Sequence, residues 1–443
     1  MMYRKTGNNR VRGWILALFL LTVSAPAAHA DITFNLRAAP VNLTMADGVV
    51  VPAWGYALVS TNEDGTTTPG DDVVKVPGPT LVVPPAQNRV TVSLINQLPE
   101  ETSLHILGQV LSNNSGPVWT EGHTTVTYTG SRPAENYTAR VRSFSHETAG
   151  SGGVGSYRWD NFRPGTYLLS SGTNPAKQVQ MGLVLPMVKD AAPGQAYTGV
   201  AYDKQLVVLF HEIDPVIQRA VADGNYGYGK TIPSSSHRAP KYSLINGKSY
   251  PDASLDPINA SINPITPGQK ILFRFVSACL DTHIPQFLGT YLNAVAEDGN
   301  PYDFPRSQYA FELPAGKTID AIFTATAGRI PIMDARLDVT NAGAPTPGGM
   351  IAFLGVTDTV TITKAVYNAA GQSLGVWATS NAPGGTAELS ASTSTGGTPA
   401  DLGQLIYRAN FGEYREVFSG VAAKPDSVTL TSSAGGSATV AVP

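Results

Sequence analysis

The sequence predicts an all-β chain built from sandwich domains, and its composition and its strand-like runs lead to this prediction. Glycine and proline are abundant, at 44 and 33 residues, and charged residues make up only 14% of the chain. Short runs of Val, Ile, Leu, Thr and Tyr alternate with turn residues, which is typical of strands that pack as sandwiches. The clearest runs are residues 90–95, 205–210 and 270–276. Only residues 214–223 favour a helix, with Pro215 near its start.

Turn-rich linkers divide the chain into three predicted domains. The first covers residues 31–190 and the second residues 200–357, with a linker of small residues, Pro and Gly between them. The third and smaller domain covers residues 358–443. Its alternating strands recur about every 8–12 residues, which predicts an immunoglobulin-like or fibronectin-like sandwich. The Gly-, Ser- and Thr-rich tract at 382–399 is alternatively a flexible loop within it.

The first 30 residues predict a secretory signal peptide, because basic residues precede a short apolar run and the small-x-small sequence Ala28-His29-Ala30. The apolar run at 14–23 is shorter than the roughly 20 residues that a bilayer span needs. We therefore expect an exported chain, periplasmic or extracellular or at the cell surface, without a membrane span. Cleavage removes four of the 30 basic residues, so 26 remain against 33 acidic ones, a net charge of −7. This charge disfavours a nucleic-acid partner.

One candidate pair of metal ligands in the sequence includes a cysteine. Cys279 is the only cysteine, so no disulfide can form within the chain. It lies four residues before His283, a Cys-to-His spacing that resembles a soft-metal pair. A buried and inert thiol is the favoured interpretation. A copper role for Cys279 and His283 requires a Met or a further His that folding brings near, and His146 and His211 are the candidate histidines.

Several motifs carry a resemblance to a known family. In the first domain they are Pro77-Gly-Pro-Thr-Leu81, Asn96-Gln-Leu-Pro99, Thr102-Ser-Leu-His105, Pro164-Gly-Thr-Tyr167 and Gln178-Val-Gln-Met-Gly-Leu183. In the second they are Leu244-Ile-Asn-Gly247, Phe273-Arg-Phe-Val-Ser-Ala278 and Leu313-Pro-Ala-Gly-Lys317. The order and spacing of these motifs, over about 320 of the 443 residues, resemble those of the multicopper oxidases. The resemblance implies two cupredoxin-like Greek-key β-sandwich domains, which precede the smaller third sandwich.

The resemblance implies copper as the cofactor, held by four His-x-His pairs and by a blue-copper site with two His and one Cys. The first pair falls on His105 and Leu107, and the second falls on Ser170 and Gly172. The other two pairs belong to a C-terminal cupredoxin domain, but no histidine follows His283. His105 is therefore the one retained ligand position and the first metal candidate, ahead of Cys279 and His283.

Two interpretations of the function follow from the missing ligands. The favoured one is an exported multicopper-oxidase-like protein with degenerate copper sites, a non-catalytic binding or assembly scaffold for a protein partner or another copy of itself. The alternative is a copper-binding oxidoreductase of the multicopper oxidase type, or a copper carrier, whose missing ligands come from another chain. Neither interpretation assigns a catalytic residue.

Overall fold

The computed structural model of the chain describes residues 31–121, 127–130, 139–253, 256–257, 265–382 and 384–443. The predicted signal peptide and His123 lie outside the described residues. Strands dominate the described chain, so the predicted all-β class is confirmed. None of the helices in the described chain is both long enough and apolar enough to span a membrane.

The first sandwich contains the described elements up to Lys189. They are β1 (Asp31–Thr44), β2 (Val50–Glu63), β3 (Thr66–Pro69), β4 (Leu81–Val83), β5 (Arg89–Asn96), β6 (His105–Ile106), β7 (Val118–Glu121), β8 (Thr127–Thr129), β9 (Ala139–Ser143), β10 (Gly153–Trp159), β11 (Gly165–Ser170), α1 (Pro175–Met181) and β12 (Val184–Lys189). A five-stranded sheet, β10-β5-β1-β2-β3, packs on a four-stranded sheet, β4-β12-β11-β6. A small sheet, β8-β7-β9, lies outside this pair.

Strand β1 shows how the sequence pattern builds the first core. Its side chains alternate between buried and more exposed, and Ile32, Phe34 and Leu36 point into the core. The strand pairs in parallel with β5, and Phe34 lies opposite Val92. Parallel pairing of β1 with β5 brings together strands that are not consecutive in the chain, as a sandwich with crossing connections requires.

The second sandwich contains the described elements from Gln195 to Val356. They are β13 (Gln195–Tyr197), β14 (Val200–Ala201), β15 (Lys204–Ile213), α2 (Pro215–Ala222), a short 3-10 helix (Ser235–His237), β16 (Tyr242–Ile245), β17 (Asp256–Pro257), β18 (Lys270–Ser277), β19 (Pro285–Phe287), β20 (Leu292–Glu297), β21 (Asn300–Gln308), β22 (Thr318–Thr324), β23 (Gly328–Asp334) and β24 (Ile351–Val356). The larger sheet has the order β16-β15-β18-β22-β20-β21, with β17 beside β15, and the smaller one is β19-β23-β24. Phe273 and Phe287 meet edge to face between the sheets, with ring centroids 5.1 Å apart.

The helix predicted at 214–223 is confirmed as α2. Asp214 caps it, since its carboxylate accepts hydrogen bonds from the backbone N–H groups of Val216 and Ile217, at 2.9 and 3.3 Å. The other helix, α1, is not predicted from the sequence, because residues 178–183 are identified there only as a family motif. A proline opens α1, and Gly182 ends it in the left-handed conformation with a φ of 112°.

The third sandwich follows from Val360 onward. Its strands are β25 (Val360–Asn368), β26 (Ser373–Ser380), β27 (Leu389–Thr395), β28 (Thr398–Arg408), β29 (Glu413–Ser419), β30 (Ser427–Ser432) and β31 (Ser437–Ala441). They form one antiparallel sheet, β25-β26-β29-β28-β27-β30-β31, which folds over at the long strand β28 so that β25 contacts β31. The predicted smaller sandwich is confirmed, and strand β27 (Leu389–Thr395) lies within the tract for which a loop was the alternative.

A buried arginine joins the first two sandwiches. The Arg274 side chain is fully buried on β18 and donates hydrogen bonds to Thr166 (3.0 Å), Gln205 (2.8 Å) and Asp190. Its Nη1 also lies 3.6 Å from the Asp320 carboxylate. Thr166 and Asp190 belong to the first sandwich, whereas Gln205 and Asp320 belong to the second. Burial opposes the charge on Arg274, but the Asp320 and Asp190 carboxylates outweigh burial and raise its pKa.

We predict that Arg274→Gln lowers the free energy of unfolding by about 3–5 kcal/mol, because it leaves buried carboxylates without a counter-charge. Urea denaturation measures this change. The matched control is Arg158→Gln, since Arg158 is 45% exposed and contacts Asp160 at 3.4 Å in a surface ion pair. The control should change stability little. An equal loss of unfolding free energy in the two variants would contradict the stabilising role of the buried network around Arg274.

Candidate metal centres

His105 stands alone at the copper-ligand positions implied by the sequence. It lies on β6 directly opposite Ser170 of β11. Its ring meets Phe144 edge to face, with centroids 6.0 Å apart. Its Nδ1 atom is buried and has no hydrogen-bonding partner among the described residues. Because burial lowers the pKa of His105, its imidazole is neutral near pH 7.

The other three positions of the two pairs do not supply copper ligands. Leu107 is apolar and half exposed. Ser170 offers a buried hydroxyl, which is a weak ligand for copper. Gly172 leaves no room for a side chain, since an added Cβ would lie 2.9 Å from the Ser103 hydroxyl and 3.1 Å from Nδ1 of His105.

Buried hydroxyl groups occupy the space next to His105, and we call this set the hydroxyl cluster. It consists of Thr102, Ser103, Ser143, Ser145, Ser171 and Thr173, all buried. The Ser103 and Ser143 hydroxyls are 2.8 Å apart, and the Thr173 hydroxyl donates to Ser103 at 3.0 Å. Thr102 donates to the Gln178 side chain of helix α1 at 2.7 Å. Within the described chain, these residues form a self-satisfied hydrogen-bond network and do not fit a copper cluster.

A second group of potential ligands lies in the second sandwich, and we call it the His283 cluster. Ligand atoms of Glu212, Cys279 and His283 all lie within 4.8 Å of one another, and all three residues are buried. Nδ1 of His283 is 2.8 Å from Oδ2 of Asp334, and Nε2 of His283 is 3.2 Å from Oε1 of Glu212. Asp338 lies at the edge of the cluster, 3.7 Å from Nδ1.

Backbone groups fix the carboxylates of the His283 cluster. Oε2 of Glu212 accepts from the N–H groups of Leu280 and Asp281, at 3.3 and 3.4 Å. Oδ1 of Asp334 accepts from the N–H of Ile284 at 2.8 Å. Each carboxylate therefore keeps its other oxygen turned towards His283. The sequence folds this way because Glu212 is near the end of β15 and Asp334 ends β23, both beside the loop after β18.

The ionisation of the His283 cluster reflects burial and close charges. Burial raises the pKa of the Cys279 thiol to about 11, although hydrogen bonding to His283 offsets part of the effect. Burial opposes protonation of His283, but the hydrogen bond to Asp334 and the neighbouring Cys279 and Glu212 raise its pKa to about 12. Burial also opposes the charge on Asp334, yet hydrogen bonding to His283 lowers its pKa overall. Without a metal ion, the imidazole is protonated between carboxylates.

The structure thus brings some of the sequence candidates together and separates others. Cys279 and His283 meet, whereas His105 lies in the other sandwich. Neither His146 nor His211, the candidates for a further ligand, belongs to the cluster. Glu212 and Asp334 complete it, and sequence reasoning missed both. No sequence spacing indicates Asp334 as a member of the cluster, because it lies 51 residues from His283.

His211 neighbours Glu212 on β15 but faces the opposite side of the sheet. Its strand neighbours Leu209 and Ile213 belong to apolar clusters that join the first two sandwiches. Both ring nitrogens are buried without a hydrogen-bonding partner in the described chain. Burial lowers the pKa of His211 to about 4, so the ring is neutral in the folded protein near pH 7.

Two joined β-sandwiches, with His105 at the start of β6 in the first, are the architecture of the cupredoxin class. Family models described as multicopper oxidase match residues 73–150 and 213–346. The chain belongs to the multicopper oxidase family. No curated protein matches the sequence.

Solved structures agree on the fold. The blue copper oxidase from Nitrosomonas europaea is similar at a TM-score of 0.51 and 17% identity, over 72% of this chain and 84% of that one. The multicopper oxidase mgLAC is similar at a TM-score of 0.50 and 19% identity, over 73% of this chain and 85% of that one. At such low identity the likeness establishes the fold, and the predicted cupredoxin-like sandwiches are confirmed.

We predict that His211 makes the protein sensitive to acid. Its pKa is lower in the folded state than the roughly 6.5 of an unfolded chain, so the unfolded state takes up a proton first as the pH falls. Stability is therefore lost between about pH 6.5 and pH 4, by on the order of 3 kcal/mol. In His211→Leu, the difference in unfolding free energy between pH 7.5 and 4.5 should shrink by most of this amount.

Urea denaturation at the two pH values measures the effect. His237→Leu is the control, because His237 is exposed and should leave the pH dependence as in the wild type. An unchanged pH dependence in His211→Leu would contradict the neutral buried state of His211.

Proposed function

We propose that this chain is a non-catalytic binding or assembly scaffold, which keeps two cupredoxin-like sandwiches without the redox copper of an oxidase. The observation that carries the proposal is the hydroxyl cluster, which occupies the space beside His105. A cluster of copper ions requires several imidazoles around one point. The Ser103 hydroxyl and the backbone at Gly172 lie beside His105 and leave no room there for a second imidazole, which supports a scaffold that lacks the donor atoms of an oxidase.

One feature favours the alternative, a copper-binding oxidoreductase or copper carrier. Nδ1 of His105 is buried and has no hydrogen-bonding partner in the described chain, so this nitrogen is available to a metal ion. A single imidazole does not hold a redox copper tightly, and another chain would have to supply the remaining ligands. The two proposals therefore differ in whether the purified protein binds copper through His105.

Other parts of the proposal concern organisation, location and partners. We keep the domains at 31–190, 200–357 and 358–443, which the separate cores of the sandwiches support. Export to the periplasm or cell surface is supported by the pattern of residues 1–30. Contact with a protein partner or another copy is supported by exposed aromatic side chains of the second sandwich, such as Phe304 at 84% exposure.

We predict that the mature protein, purified after growth with added copper, contains far less than one copper per chain. It should show no thiolate-to-copper absorption band and no oxidation of phenolic substrates with dioxygen. Elemental analysis, absorption spectroscopy and oxygen uptake measure these properties. His105→Ala should leave the copper content unchanged.

The outcome that contradicts the scaffold proposal is stoichiometric copper that is lost in His105→Ala. Such a result would support the copper carrier or oxidase. The control is His237→Ala, which removes an exposed imidazole and should have no effect. A copper-free protein that melts cooperatively would support the scaffold, because the fold then requires no copper.

A further inference from the structure

We infer that Glu212, Cys279 and His283 form a binding site for a divalent cation of the zinc type. This site is separate from the copper-ligand positions near His105 and does not depend on the proposed scaffold function. It joins the end of β15 to the loop that follows β18.

The geometry of the three side chains matches a small tetrahedral cation. Zinc binds thiolate sulfur at about 2.3 Å and imidazole nitrogen or carboxylate oxygen at roughly 2.0–2.2 Å. Ligand atoms around such an ion are therefore roughly 3–4 Å apart. Nε2 of His283 and Oε1 of Glu212 are 3.2 Å apart, and Cys279 lies within 4.8 Å of both. These separations are close to those that a tetrahedral zinc ion requires of its ligand atoms.

The environment of Nε2 of His283 points to a ligand at the centre of the group. This nitrogen is buried and lies 3.2 Å from Oε1 of Glu212, but it makes no aligned hydrogen bond in the described chain. A buried nitrogen whose polar contact is poorly aligned is costly unless something else satisfies it. A cation bound by Nε2, the thiolate and the carboxylate satisfies all three groups at once.

Asp334 holds the imidazole as zinc sites commonly do. Metal-binding histidines generally donate their other ring N–H to a carboxylate, which fixes the ring and directs the free nitrogen to the metal. Nδ1 of His283 contacts Oδ2 of Asp334 at 2.8 Å. Asp334 and Glu212 are themselves held by backbone N–H groups. The cluster therefore has both the ligands and the surrounding support of a metal site.

The donor set favours zinc over copper. Cu(I) prefers sulfur ligands, and a blue-copper site requires two imidazoles with the thiolate, whereas this group contains one imidazole, one thiolate and one carboxylate. Zinc accepts all three donor types, and a water molecule completes four-coordination. Binding releases the thiol proton of Cys279 and the Nε2 proton of His283, and both protons pass to solvent.

Exposed charged side chains lie at the edge of the cluster, on the Nδ1 side of His283. Asp338 lies at this edge with 32% of its side chain exposed, and it contacts Arg336 at 3.6 Å. Arg336 also approaches Asp281 at 3.5 Å. These exposed charges line the rim, whereas Cys279 and His283 lie within.

The test uses the mature protein purified from cells grown with added zinc. We expect one zinc per chain by elemental analysis. After the zinc is replaced by Co²⁺, we expect an intense thiolate-to-cobalt absorption band together with the visible bands of tetrahedral cobalt. Cys279→Ser should abolish the thiolate band, and His283→Gln should weaken zinc binding at least tenfold. Asp334→Asn should weaken it by about 10–100-fold.

The matched control is His211→Leu, which removes a buried imidazole next to Glu212 but outside the cluster and should retain full zinc. His105→Ala should also retain it, which separates this site from the copper positions. Near-UV circular dichroism establishes that each variant is folded. A wild-type protein without zinc and without a thiolate-to-cobalt band overturns the inference without any variant. Equal zinc binding by folded Cys279→Ser overturns it as well.

Discussion

The buried charge of Arg274 is the constraint on which the arrangement of the first two sandwiches depends. A guanidinium without water requires carboxylates and hydrogen-bond acceptors around it, and these come from both sandwiches. Thr166 and Asp190 approach from one side, and Asp320 from the other. Because the hydrogen bonds of an arginine are directional, they fix the orientation of the two units as well as their contact. The apolar side chains around His211 then pack at the same interface.

The buried polar groups of the two sandwiches differ. In the first, where the family places copper ligands, hydroxyl groups form hydrogen bonds with each other and with Gln178. These polar groups satisfy one another and do not form a set of metal ligands. In the second, ligand atoms of Glu212, Cys279 and His283 lie close together, and Nε2 of His283 is buried without an aligned hydrogen bond in the described chain. Two sandwiches of the same type therefore carry different polar groups in their interiors, since a fold does not fix the chemistry of its sites.

Much of the fold was predictable from local pattern, and much of the candidate site was not. Alternation in strands such as β1 and β5 reports which face is buried, and the Asp214-Pro215 cap marks the start of α2. Helix α1 was not predicted because it has only seven residues, and so short a segment does not show a helical period. The Cys279 and His283 pair was visible because the two residues are neighbours in sequence.

The sequence by itself determined the sandwich class and the absence of paired histidines, because both depend on residues that are close together in the chain. Leu107, Ser170 and Gly172 could be read directly as missing ligands. Only the tertiary structure decided which groups replace them and which groups surround His283. Asp334 reaches it across 51 residues, because strand pairing brings β23 to the loop after β18. Such contacts depend on pairing between strands that are far apart in the chain, and no local sequence pattern predicts them.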